Sequence, residues 1–200
     1  MPQPNVLALP RGSPPPSDAD CLLLLRRCAG ATTALDGALQ PVLDRAFSVD
    51  RSLSRSGGFV AADCSPGGRL VLALAGPLDR DFDDARAVAD AANAAIKRCV
   101  AAGAESVVLF VDDDIASLGG DFRHSLSAAI IGCLHAAYAP LMAREHAAAA
   151  AAAAPSSAAP LEPLRSLYVM CPSASDDALR TAVARCANLR CLSAPSTSIP

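Results

Sequence analysis

Three consecutive aspartates, Asp112, Asp113 and Asp114, follow the apolar run Val-Val-Leu-Phe-Val at 107–111. Acids at the end of a strand in an open α/β sheet stand where ligands of such sheets commonly sit, so a metal or a sugar hydroxyl is one reading. A hard cation needs several oxygen donors, and no His or Glu partner adjoins the three, so hydrated loop acids are the plainer reading. Gly119 and Gly120 precede a helical segment and could turn amide groups toward a phosphate; a tight turn accounts for them more simply. Asp121, His124 and Ser125 are the residue types of a hydrolytic triad, but neighbours on one turn rarely converge as a triad must. His135, one turn from Ile131 and Tyr138, reads as a hydrogen-bonded boundary residue, and Arg86 with Asp90 as a weak pair on a helix surface. No residue is assigned a catalytic, cofactor-binding or metal-binding role on this reading.

Cysteine chemistry is the other candidate. Eight cysteines stand at 21, 28, 64, 99, 133, 171, 186 and 191, most of them inside predicted elements on apolar faces, which is the placement of buried free thiols. There is no CxxC, Cys186 and Cys191 have four residues between them, and His124, His135 and His146 lack paired spacing, so a structural zinc site is not expected. The net charge of -3, with 16 of the 17 basic residues Arg and none of them clustered, argues against nucleic acid as a partner. The first twenty residues hold six prolines and no apolar core long enough for a signal peptide, so a reducing, cytoplasmic setting is expected.

Such groups need a frame, and the chain supplies one. At 200 residues and 52% hydrophobic it can bury a substantial core, built from Leu, Val, Ile and Ala because aromatics make up only 4%. Arg69–Ala75 is a continuous apolar run stopped by Gly76 and Pro77, as a strand covered on both faces would be. Asp81 is placed to cap a following helix whose stripe is Phe82, Ala85, Ala89, Ala92, Ile96 and Cys99, and Gly103 to close it in the left-handed conformation. A second strand, Ser106–Val111, should then pair in parallel with the first through a right-handed crossover. Residues 1–19 read as a disordered Pro-rich tail. Cys21–Leu25 is a strand, and Leu35, Leu39, Val42, Leu43 and Phe47 form a helical face in which Pro41 forces a kink or a late start. Phe59–Ala62 is a short strand turned by Ser-Pro-Gly-Gly at 65–68 into an antiparallel partner of the Arg69 strand, and Asp112–Gly120 a loop. A helix from Asp121 or Ser125 to Ala139 carries Leu126, Ile130, Cys133, Leu134, Ala137 and Leu141. The Ala-rich stretch at about 143–160 reads as a low-complexity insertion, Ser166–Cys171 as a strand, and Leu179, Ala182, Val183 and Cys186 as the core face of a last helix. Alternating strands and helices predict a three-layer α/β/α domain with a mixed, largely parallel sheet.

In order and spacing these pieces resemble the N-terminal, macro-domain-like part of the M17 leucyl aminopeptidase family. The resemblance rests on LDGALQPVLDRAFSVDRSLSRSGGF, on GGRLVLALAGPLDRDFDDARAVADAANAAIKRCVAAGAESVVLFV, on SAAIIGCLHAAYAPL at 127–141 and on RCANLRCLSAPSTSIP at 185–200. The first is similar to the family's opening helix and loop, the second to its central strand, helix, strand, and the last to its passage into the catalytic domain. Two departures stand out: Leu-Ala-Gly-Pro at 74–77 replaces the usual Val-Gly-Leu-Gly type of turn, and Ser-Ala-Pro-Ser at 193–196 the usual Asn-Thr-Pro passage.

The resemblance implies a macro-like domain over residues 20–192 and a linker at 193–200 toward a catalytic domain. In the family that second domain holds two Zn or Mn ions on a Lys, several Asp and a Glu, and removes N-terminal amino acids from peptides. No position of this chain matches those ligands, so no site residue and no cofactor carries over. The implied role is non-catalytic, in oligomer assembly or regulation, with protein partners that are further copies of the chain or catalytic aminopeptidase subunits, and with no nucleic acid or membrane. Two other readings stay open: a macro-type module binding ADP-ribose or a nucleotide, and a structural subunit of a larger complex.

Overall fold

The computed structural model describes residues 4–28, 39–78, 83–120, 124–138, 149 and 164–191. Its six strands are β1 (Asn5–Ala8), β2 (Cys21–Arg26), β3 (Gly58–Ala61), β4 (Arg69–Leu74), β5 (Ser106–Val111) and β6 (Ser166–Met170), in the sheet order β1-β6-β5-β2-β4-β3. All neighbouring pairs are parallel except β3 with β4, which the 3-10 turn at Pro66–Gly68 folds back antiparallel. The architecture is the expected mixed, largely parallel sheet with helices on both faces.

Strand alternation assigns the two faces. Cys21, Leu23 and Leu25 of β2 and Val107, Leu109 and Val111 of β5 enter a larger core beneath three helices, α3 (Ala85–Ala101), α5 (Ser125–Ala136) and α6 (Asp176–Cys191). Leu22, Leu24, Val108 and Phe110 enter a smaller core beneath α1 (Leu39–Val49) and the one-turn α2 (Leu53–Ser56). Central strands buried on both sides explain the unbroken runs CLLLLR and SVVLFV. Leu179, Ala182, Val183 and Cys186 are buried, as their spacing predicts.

Several expectations need correcting. Residues 5–8 are not a disordered tail: Asn-Val-Leu-Ala forms β1 beside β6. An edge strand needs hydrogen bonds on one side only, so the flanking Pro4 and Pro10 are tolerated. Strands β4 and β5 are parallel but not adjacent; β2 lies between them and pairs with both. The helix between them begins at Ala85 with Asp84, not Asp81, as its cap, the carboxylate accepting from the Arg86 N–H at 2.7 Å. Its buried stripe is Val88, Ala92, Ala95, Ile96 and Cys99. Arg86 pairs directly with Asp84 at 2.6 Å, and Asp90 adds only a weak charge attraction, as expected of a surface pair. Gly103 has φ 81° and closes the helix as expected. Pro41 is the third residue of the described part of α1, and the helix runs on through Val49 without a break after it. Helix α5 lies against α3 so closely that a Cβ at Gly132 would stand 2.2 Å from the Ala89 carbonyl oxygen. Asp81, Phe82, Leu35, Asp121, Leu141, His146, the Ala-rich stretch apart from Ala149, and residues 192–200 lie outside the described residues.

Candidate functional site

The chain leaves β2 toward α1 on one face of the sheet and leaves β5 toward α5 on the other. Where neighbouring parallel strands send their connections to opposite faces, a crevice opens beyond their C-terminal ends, and ligands of open α/β sheets bind in such crevices. The register brings Leu25 opposite Val111, so the next residues, Arg26 and Asp112, meet at the mouth of that crevice.

Those two residues close it. Arg26 Nε donates to Asp112 Oδ2 at 2.8 Å, with the side chains 0% and 1% exposed. The backbone holds both in place, Asp112 N–H donating to the Leu25 carbonyl at 3.0 Å and Ala75 N–H to the Arg26 carbonyl at 2.9 Å. Asp112 Oδ1 accepts from the Asp113 N–H at 2.6 Å, making Asp112 the cap of a one-turn helix, α4 (Asp113–Ala116). Expected as loop, this turn is helical because the cap satisfies one of its free amides and Ile115 is fully buried. Asp114 reaches back across the crevice, Oδ2 accepting from the Arg27 N–H at 3.0 Å, while Arg27 Nε donates to the Pro77 carbonyl at 2.6 Å. The segments after β2, β4 and β5 are thereby tied to one another.

The electrostatics follow from burial. Desolvation is the largest influence on Asp112 and pushes its carboxyl above the ordinary carboxylate range, against the opposing pull of Arg26 and the Asp113 amide. Asp114 is raised in the same direction, again chiefly by burial, with the Arg27 amide opposing. One oxygen of Asp113 and one of Asp114, Oδ1 in each, is buried without a hydrogen-bond partner. The three aspartates are therefore not hydrated loop acids: one is an ion-paired cap, one opens the helical turn, and one is a bridge between loops. Arg26 and Arg27 did not figure among the sequence candidates. The available signal was an arginine pair directly after an apolar run, facing an acid directly after another.

The other candidates do not converge. Gly120 has φ 62°, the conformation of a tight turn. His124 is exposed at the start of α5 while Ser125 is buried beneath it. His135 is exposed, its Nδ1 3.4 Å from Asn93 Nδ2. Cys21, Cys99, Cys133, Cys171 and Cys186 are buried free thiols as expected, whereas Cys28 and Cys64 are exposed. Among the described residues no group of three or more His, Cys, Asp or Glu is arranged to hold a metal ion, and no helix is long and apolar enough to cross a membrane. On the α1 face, an open cleft of about 640 Å³ runs between Val42, Arg45 and Ala46 of the helix and Val60, Ala62 and Cys64 beside the edge strand.

No protein-family model and no curated protein matches the sequence. Among solved structures, a point mutant of tomato leucine aminopeptidase matches with a TM-score of 0.61 at 17% identity, over 94% of this chain and 37% of that one. This chain thus spans little more than a third of its structural neighbour's length. At that identity the likeness is one of fold: the domain is built like a part of a leucine aminopeptidase.

Proposed function

We propose that this chain is an aminopeptidase-type N-terminal domain, non-catalytic by itself, that serves assembly or regulation through protein contacts. The observation that carries the reading is the fold likeness over 94% of the chain to a leucine aminopeptidase 37% of whose length it spans. The site geometry agrees with it. The crevice where an open α/β sheet would take a ligand is filled by the chain's own Arg26–Asp112 pair and bridged by Asp114. Removal of N-terminal residues from peptides, and the two metal ions it would use, belong on this reading to a catalytic domain joined to this one or brought by a partner subunit.

Light scattering of the purified chain, paired with an aminopeptidase assay using a leucine anilide and added Mn, tests the proposal. Self-association with turnover no higher than the blank is the expected result. Turnover by the chain alone would overturn the non-catalytic role. A monomer at every concentration that binds ADP-ribose with saturable heat would replace the assembly role with that of a ligand reader.

A further inference from the structure

The two edges of the sheet are finished differently. At one edge β1 bonds to the β6 side through the Asn5 and Leu9 N–H groups, so by alternation Pro4 and Pro10 fall in the outward-facing set, where they have no N–H to offer a further strand. The opposite edge strand, β3, reads Gly-Phe-Val-Ala, with neither charge nor proline. Its free backbone groups follow from the same alternation. Ala62 N–H, just past the strand, donates to the Gly68 carbonyl at 3.0 Å, and Val60, two residues earlier and opposite Leu70, turns its polar groups to the same side. The N–H and C=O groups of Phe59 and Ala61 therefore point away from β4, and among the described residues no strand lies beyond them.

The side chains of this edge are exposed as well. Val60 enters the smaller core, but Phe59 is 40% exposed and joins neither core, and Ala61 is exposed on the same face. On the other face Val60 and Ala61 line the open cleft beside α1, and Val49 on its far wall is 82% exposed. Charge differs between the two ends of the strand: exposed Arg51 and Arg55 precede it, and exposed Asp63 follows it.

We propose that β3 pairs with the β3 of a second copy of the chain, antiparallel across a two-fold axis at Val60, joining the two domains into one continuous sheet. The proposal rests on the assembly role proposed above and gives it a surface. In this register Phe59 faces Ala61 of the second copy, so every outward N–H of the two residues donates to an outward carbonyl and none is left over. A large side chain lies opposite a small one on that face, and on the α1 face Val60 meets its own counterpart between the two clefts. Because the strands run in opposite senses, the Arg55 end of one copy comes to Asp63 of the other, whereas a parallel pairing would set like charge beside like. One patch thus serves both partners, as a closed two-fold contact requires. A contact made by so short a strand gives a dimer that depends on concentration.

Sedimentation equilibrium of the whole chain over about a hundredfold range of concentration tests this, with a monomer–dimer equilibrium as the expected result. Ala61→Pro removes an outward N–H and no bond to β4, and should raise the dimer Kd at least about tenfold. Arg55→Glu should weaken the dimer a few-fold, and adding Asp63→Arg should restore it; both positions are exposed, so the fold is not at stake. With Cys28 and Cys64 replaced by Ser, Val60→Cys should give a covalent dimer on mild oxidation, since residues facing each other in this kind of pair stand about 4.5 Å apart at Cα, and the same background with Val60 intact should not. If Ala61→Pro does not fold, the charge reversal and the cross-link decide. A chain that stays monomeric throughout would overturn the proposal. Self-association that Ala61→Pro and Arg55→Glu leave unchanged would overturn it too, while leaving the assembly role to another surface.

Discussion

At its C-terminal end β2 finishes in a buried charge pair, whereas at its N-terminal end it begins with a buried thiol beside a carboxylate that holds backbone amides. Arg26 meets Asp112 on the next strand. Six residues earlier, Asp20 accepts from the Glu105 and Ser106 N–H groups at 2.9 and 3.3 Å, and Cys21 beside it is fully buried. The difference follows from topology. At the N-terminal end the α3–β5 turn and the Pro66–Gly68 turn pack directly on the strand, so backbone and small side chains suffice. At the C-terminal end the connections part to opposite faces, and long charged side chains must cross the gap. A crevice that other α/β domains use for ligands is thus taken up here by the domain's own polar groups.

The comparison can be broken at either end, and the C-terminal end should break hardest. Asp112→Ala leaves the Arg26 charge buried without its carboxylate and should cost about 3–5 kcal/mol, read from the denaturant midpoint. At the other end, Gly67 has φ 60° and a Cβ there would stand 2.2 Å from the Asp20 carbonyl oxygen. Gly67→Ala should therefore cost about 1–3 kcal/mol and displace Asp20 from the β5 amides, visible as faster exchange at the Glu105 and Ser106 N–H groups. Asp20→Ala removes the same two hydrogen bonds without the clash and should cost about 1–2 kcal/mol.

The smallest effect sharpens the contrast through pH. A carboxyl whose pKa in the folded state lies above its unfolded value adds stability that is complete below the unfolded value and is lost as pH rises through the folded one. Asp112 and Asp114 are raised, so they favour the folded state in mild acid and oppose it at neutrality. The surface carboxylates Asp50 and Asp84 are lowered by hydrogen bonds from Ser52 and Arg86 and act in the opposite sense, their contribution fading as pH falls. Asp114→Asn keeps an acceptor for the Arg27 amide and removes one raised carboxyl. Its melting temperature should change less than wild type between neutral and mildly acidic buffer, the wild type gaining relative stability in acid.

Elements with buried apolar runs were legible in the sequence because a doubly covered strand has no polar position to disguise it. Hence β2, β4, β5 and β6 fall where their runs predict. Strand β1 was hidden by the prolines around it, and the insertion of β2 between β4 and β5 has no local signature. The site was half legible. Asp112–Asp114 stood out as a cluster of acids, but their roles depend on Arg26 and Arg27, more than eighty residues away, and the inter-strand register that joins them is set only by the folded sheet.

The most direct test of the claim that the crevice is closed for structural reasons is a double-mutant cycle on stability with Arg26→Met and Asp112→Leu. If the pair is an internal closure, each single variant loses about 3–5 kcal/mol and the double variant recovers most of the loss, because apolar side chains of similar size can fill the same space. Single variants as stable as the wild type, or a double variant whose loss is the sum of the two, would contradict it.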